Sequence, residues 1–207
     1  MERIQAVSSN KRRQLLSWVT MGVAVSLLAG CATPPPKKQD NLCSIFRENP
    51  SWYDDAVDMQ EEWGTPINVA MAFVKQESSF RHDARPPKDY LLGFIPWGHV
   101  SSAYGYAQAL DGTWDEYRRD TGRRGARRDR IRDASDFMGW YMNTSYERNG
   151  IPKTDARNQY LAYHEGHTGY ARGNYNNKSW LLRVANEVDA RARTYESQLA
   201  GCKRAKR

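Results

Sequence analysis

The chain has 207 residues, of which 40% are hydrophobic, 27% charged and 12% aromatic, and its formal charge is +7. That length makes one domain around one core the natural expectation. Three cysteines exclude a disulfide-dense scaffold, while the basic excess leaves anionic partners open.

The first thirty residues read as a leader. Arg3, Lys11, Arg12 and Arg13 form a basic start, Leu15 to Leu28 is largely apolar, and Leu28-Ala29-Gly30-Cys31 supplies small residues before a cysteine. This is a processing site rather than a membrane exit, and the apolar stretch is short for a span. It resembles a bacterial lipobox. The resemblance implies that Cys31 becomes the first mature residue and carries acyl chains, each buried methylene contributing about 0.8 kcal/mol of anchoring. Ala32 then favours the periplasmic face of the outer membrane over retention at the inner one. An uncleaved signal anchor is the competing reading. Without the leader's four basic residues and one acidic residue, the charge falls to +4.

Residues 31–41 read as a Pro/Lys-rich tether with nothing to bury, extended by Pro34-Pro35-Pro36 and solvated by its lysines. Residues 42–202 form the expected domain, and 203–207 a basic tail. With Cys31 acylated, Cys43 and Cys202 remain at the two ends of the domain. An oxidising compartment lets them pair; two free thiols are the alternative.

Within the domain the apolar residues recur at helical spacing and period-two alternation is absent. Ser51 to Trp63 is a first helix, with Trp52, Ala56, Met59 and Trp63 on one side. Thr65-Pro66 reads as a hydroxyl cap followed by proline at the first helical position. The helix it opens runs to Ser78, with Ile67, Ala70, Phe73 and Val74 as its buried face. Residues 81–102 hold Pro86-Pro87, Gly93, Pro96 and Gly98 and read as a long loop, of a length that is often functional. Further helices follow at Asp111 to Asp120 and Asp133 to Arg148, then from a Thr154 cap to about Glu165, and from Asn177 to Leu199. The class is all-α, with five to seven helices and no internal repeat.

Three segments carry chemistry. Extending the apolar face of the second helix brings Glu77 to its edge. A carboxyl group against apolar neighbours holds its proton to higher pH and can serve as a general acid. Taken alone, Glu77 reads equally well as an ordinary surface glutamate. The second segment is Ala103-Tyr104-Gly105-Tyr106-Ala107-Gln108-Ala109-Leu110, where glycine permits close backbone approach and Gln108 offers both donor and acceptor. The third is Ala162-Tyr163-His164-Glu165-Gly166, a helix end with a phenol, an imidazole and a glycine stop.

In this order the three segments resemble the soluble lytic transglycosylase family, which has a lysozyme-like fold. The family carries a Glu-Ser pair at a helix end, then a glycine-leucine-methionine-glutamine segment, then an alanine-tyrosine-asparagine-alanine-glycine segment. Here Tyr106 and Ala107 replace leucine and methionine, His164 replaces asparagine, and Glu165 replaces alanine. The resemblance implies cleavage of the β-1,4 bond between N-acetylmuramic acid and N-acetylglucosamine in peptidoglycan, with 1,6-anhydro ends and no cofactor. It makes Glu77 the sole general acid/base. Ser78, Tyr104, Gly105, Tyr106, Gln108, Tyr163 and His164 become substrate contacts, Tyr163 also orienting Glu77. Most glycosidases use two carboxylates; Asp83, Asp111 or Glu165 as a second would make this a hydrolytic muramidase, although Asp111 reads better as a helix cap. A catalytically silent peptidoglycan-binding lipoprotein is the other alternative.

Trp97, Tyr104, Tyr106, Tyr170 and Tyr175 flank the motifs as sugar-stacking or core aromatics. The apolar run at 90–97 reads as a flap or a surface for a protein partner. Eight arginines between Arg118 and Arg132 admit nucleic acid on charge alone, but the leader places the chain away from it, so a solvated loop is expected. His164-x-x-His167 lacks a third ligand at zinc spacing, and no metal is expected.

Overall fold

The computed structural model describes residues 33–91 and 95–202, without the side chains of residues 89–98. Cys31, the leader and the tail 203–207 lie outside the described residues, as does the side chain of Trp97. Seven helices are described: α1 Leu42–Glu48, α2 Pro50–Trp63, α3 Ile67–Ser78, α4 Asp111–Asp120, α5 Ile131–Asn149, α6 Ala156–Ala171 and α7 Ser179–Gly201. The domain is helical and lysozyme-like, as the sequence implies.

α3 is the axis of this arrangement. Val69, Ala70, Met71, Ala72, Phe73 and Val74 are all 2% exposed or less, so the helix is buried all round rather than along one face. Its largest side chains each stabilise the fold by about 1.5–3 kcal/mol through burial. α7 packs along α3 and against α6, while α2 packs along α5. α3 begins one residue past the predicted proline position. Pro66 is extended and occupies the cap site without a side-chain bond. The Thr65 hydroxyl is buried and unpaired, and Gln60 Oε1 instead accepts from the Ile67 amide at 3.1 Å.

α1 escapes the sequence reading because it is only seven residues long, although Asn41 caps it through the Ser44 amide. Asp155, not Thr154, caps α6 by accepting from the Asn158 amide at 3.0 Å. α6 continues past its predicted end, but Gly166 interrupts it at φ 71° and ψ 159°, as the glycine stop foretells.

The loop after α3 contains what period-two analysis misses, an antiparallel hairpin of β1 Lys88–Leu91 and β2 Ile95–His99. Lys88 faces His99 and Leu91 faces Ile95, with an irregularity between Asp89 and Tyr90. Pro96 argues against a strand in sequence, yet a two-stranded ribbon has only edges and tolerates it.

The segment read as a solvated tether is partly docked. Pro36 is buried, Gln39 Oε1 accepts from Lys75 at 2.7 Å, and the Gln39 carbonyl accepts from Tyr195. A polar node fixes the other side of the domain. Asp136 on α5 is 6% exposed and accepts from Trp63 Nε1 at 2.9 Å and Tyr117 at 2.5 Å. It also pairs with Arg123 at 3.0 Å. A buried carboxylate is tolerated where its lone pairs are filled this way.

Cys43 on α1 is joined to Cys202, just past α7, in a disulfide with a Cα–Cα distance of 5.7 Å. The bond closes a span of 159 residues, for which chain entropy gives about 5 kcal/mol. Replacing both cysteines by serine should therefore lower the unfolding free energy by about 2–5 kcal/mol. Chemical denaturation checks this, and an unchanged midpoint would contradict it.

Candidate active site

The chain turns sharply where α3 ends. Ser79 and Phe80 take φ of 51° and 59°, a left-handed pair that costs about 1–3 kcal/mol per residue. Phe80 is fully buried and stacks on Trp52 at 6.0 Å, which offsets the strain. Glu77 lies two residues before this reversal, where the buried helix reaches the surface.

The Glu77 carboxyl rises from the ordinary 4.5 to about 7. Desolvation is the main cause, and a hydrogen bond with the Tyr160 phenol works against it. The residue as a whole keeps part of its surface in solvent, so the carboxyl is ringed by protein yet reachable. Among the described residues no second carboxylate contributes to the shift. Ser78 next to it is 6% exposed and donates to the Val74 carbonyl at 3.0 Å. Its hydroxyl proton is committed to the helix, which leaves the oxygen to serve as an acceptor.

The second segment is held as a tight loop. Tyr104 bridges to Ala109, and the Gly105 amide donates to the Ala84 carbonyl at 2.9 Å. Gly105 has φ 75°, and a Cβ there would lie 2.1 Å from the Arg128 carbonyl oxygen; only glycine fits. Gln108, itself at φ 50°, donates through Nε2 to the carbonyls of Ala84 at 2.8 Å and Gly105 at 2.9 Å. Two carbonyls fix the amide orientation, since the flipped form would set oxygen against oxygen. Gln108 therefore has Oε1 left as an acceptor for a ligand N–H or O–H. Arg128 fastens the loop from outside, donating to the carbonyls of Ser102 at 3.0 Å and Ala109 at 2.8 Å and pairing with Asp111 at 2.7 Å.

Tyr106 is 2% exposed and meets Trp52 edge-on at 5.7 Å, and burial pushes its phenol up to about 12. It is core, not a sugar contact, and the sequence reading is corrected there. Tyr104 stays half-buried under the Arg85 guanidinium, 4.2 Å from its ring centroid.

The third segment closes on the other two. Tyr163 donates to the Ala107 carbonyl at 2.5 Å, and its phenol is held well above its ordinary value by burial, with Glu77 adding to the shift. Phe73 on α3 meets Tyr160 at 5.2 Å and Tyr163 at 5.7 Å, both edge-on. Tyr160, which sequence reading missed as a site residue, is the phenol bonded to Glu77. The available signal was its place three residues before Tyr163, on the same helix face. His164 is exposed and meets Trp180 edge-on at 5.0 Å. Tyr170 and Tyr175 stack on each other at 5.2 Å.

The three carboxylates weighed as a second catalytic group have cationic partners. Asp83 lies 3.6 Å from Arg81 and Asp111 pairs with Arg128. Asp111 is the first residue of α4 rather than its cap. Glu165 pairs with Lys178 at 2.7 Å, which holds its carboxyl below the ordinary value. His167 stacks on Tyr141 at 4.3 Å and bonds Ser145 at 3.1 Å. Among the described residues no group of three or more metal-ligating side chains is present.

The sequence model of the transglycosylase SLT domain matches residues 19–202. No curated protein matches the chain.

Burial of Glu77 fixes the sign of its pH dependence. Below pH 4.5 folded and unfolded chains both hold the proton. Between 4.5 and about 7 only the folded chain does, so stability is lost as pH rises through that window. Glu77→Gln removes this loss. It should match wild type at pH 4 and exceed it by up to about 3 kcal/mol at pH 8, as read from denaturation curves. Equal stability at both pH values would contradict the burial argument.

Proposed function

The chain belongs to the transglycosylase SLT domain family of peptidoglycan lytic transglycosylases, and on that premise we propose that it cleaves the β-1,4 bond between N-acetylmuramic acid and N-acetylglucosamine with Glu77 as its only acid/base. The observation that carries this reading is a lone carboxyl raised to about 7 by desolvation, with the other weighed carboxylates ion-paired. Such a group is protonated often enough near neutral pH to act as an acid.

The reaction needs no second carboxylate. Glu77 gives its proton to the glycosidic oxygen as the bond from C1 to that oxygen breaks, leaving positive charge on the muramoyl ring. The ring's own C6 hydroxyl then attacks C1, and the ionised Glu77 takes the hydroxyl proton. One C–O bond breaks, one forms, and the enzyme ends in its starting state. Holding the nucleophile within the substrate supplies much of the entropic advantage. The Tyr160 phenol, bonded to Glu77, stabilises the carboxylate between the two proton transfers. Gln108 Oε1 accepts from an N-acetyl N–H or a sugar hydroxyl. Tyr163 holds the Ala107 carbonyl and so sets the Gln108 loop against α6, while His164, exposed at the same helix end, contacts the glycan. By the same reading the protein is anchored by lipid at Cys31 on the periplasmic face of the outer membrane, beside its substrate.

Digestion of purified peptidoglycan, with mass analysis of the released ends, tests the chemistry. Anhydro ends are expected from wild type, and Glu77→Gln should bind sacculi while releasing at least about a thousandfold less. Reducing ends would establish a hydrolytic muramidase instead, and binding without release by wild type would establish a silent binder. For the anchor, acyl labelling should be lost in Cys31→Ser; labelling that survives the substitution would refute it.

A further inference from the structure

The arginines from Arg118 to Arg132 are mostly exposed, as the sequence suggests, yet several of them have fixed partners. Arg118 donates through Nε to the Arg124 carbonyl at 2.9 Å and pairs with Asp115 at 3.4 Å. Arg123 pairs with Asp136 and Glu62, Arg127 with Asp129 at 2.6 Å, Arg128 with Asp111, and Arg132 with Asp133 at 3.3 Å. The contacts of Arg123 and Arg128 bind the segment to the body of the domain, while the others are local. Arg119, Arg124 and Arg130 differ: all three are exposed, and among the described residues none of them has an acidic partner within ion-pair distance.

Arg119 and Arg124 line one concavity of about 440 Å³, together with Asp115, Arg118 and Gly122. A second concavity of about 380 Å³ shares Asp115 and Arg118 with it and reaches Tyr104, Trp114 and Arg128. The two adjoin at the Asp115–Arg118 pair and are treated as one cleft. Neither is lined by Glu77, but the second ends at Tyr104, the residue that opens the Gln108 loop. The charge is graded along it. In the inner lobe three arginines meet Asp111, Asp115 and Asp129 and cancel. In the outer lobe three arginines meet Asp115 alone, which leaves two positive charges in excess.

We propose that this cleft is a subsite for the peptide stem carried by the glycan, with Arg119 and Arg124 receiving its free carboxylates. The inference rests on the glycan-cleaving reading above. A cleft that is neutral beside the sugar-binding loop and cationic at its far end suits a short chain attached at one end and anionic at the other. Planar guanidinium groups take carboxylates bidentately. The combined space accommodates several residues rather than a single ion. The site discriminates stem-bearing strands from bare glycan.

The full-length Glu77→Gln protein, which binds without cutting, allows a direct test by equilibrium binding. Two probes are compared: stem-bearing glycan strands, and the same strands stripped of peptides by an amidase. Stem-bearing strands should bind about five- to tenfold tighter. Adding Arg119→Gln and Arg124→Gln should abolish that preference while leaving stripped-strand affinity unchanged. Equal binding of the two probes by the parent, or a preference that survives the double substitution, overturns the inference alone. Failure to bind either probe overturns the glycan reading and this subsite with it. Loss of binding to phosphatidylglycerol vesicles in the double variant, with stem preference intact, would reassign the cleft to lipid headgroups and also overturn the proposal.

Discussion

Desolvation of one carboxyl group is the constraint on which the site depends. α3 is buried on all sides, and Glu77 stands where it surfaces, so ionising that side chain sets a charge against the core. The same burial that makes α3 the axis of the fold keeps Glu77 protonated toward pH 7. Stability and reactivity are therefore opposed at this residue: the group that suits proton transfer is one that the fold would hold more easily as a neutral amide.

The rest of the site is arranged to hold that carboxyl without neutralising it. A nearby cation would lower its pKa and end its use as an acid. The protein instead supplies phenols: Tyr160 bonds the carboxylate, and Tyr163 lies close enough to be affected by it. Aromatic packing joins the three motifs from beneath. Trp52 supports both Phe80, just past Glu77, and Tyr106 in the second motif, while Phe73 supports Tyr160 and Tyr163. Above that layer the links are backbone carbonyls, with Ala107 accepting from Tyr163 and Ala84 from both Gly105 and Gln108. The three non-glycine residues at positive φ among the described residues are Ser79, Phe80 and Gln108. Strain is thus confined to the two loops that shape the site, and the rigid helices on either side maintain it.

Much of this was legible in the sequence because helical periodicity and the order of the three motifs are local signals. The bounds of α4 and the emergence of Glu77 from an apolar helix follow from spacing alone, and the break at Gly166 from the glycine. What was not legible depends on contacts between distant segments. Tyr106 sits in a glycine-containing loop and reads as either sugar contact or core, and the inward fold of that loop onto Trp52 decides it. Tyr160 goes unremarked because nothing in a sequence says which of two helical tyrosines faces a carboxylate on another helix. The arginines of residues 118–132 read as a solvated run and are mostly exposed, but the partners that Arg123 and Arg128 find on α2, α4, α5 and the Gln108 loop lie too far along the chain to be read from it. The hairpin at 88–99 pairs strands of four and five residues with a proline in one of them, too short and irregular for alternation to show.

The central claim, that Glu77 is an isolated carboxyl kept protonated by burial, is open to direct titration. The full-length protein labelled with ¹³C at glutamate carboxyl carbons can be followed by NMR across pH, with Glu77 assigned by the signal missing from Glu77→Gln. The account predicts a midpoint of about 7, moving higher in Tyr160→Phe as the opposing hydrogen bond is lost. A midpoint at the ordinary 4.5, unmoved by that substitution, would contradict it.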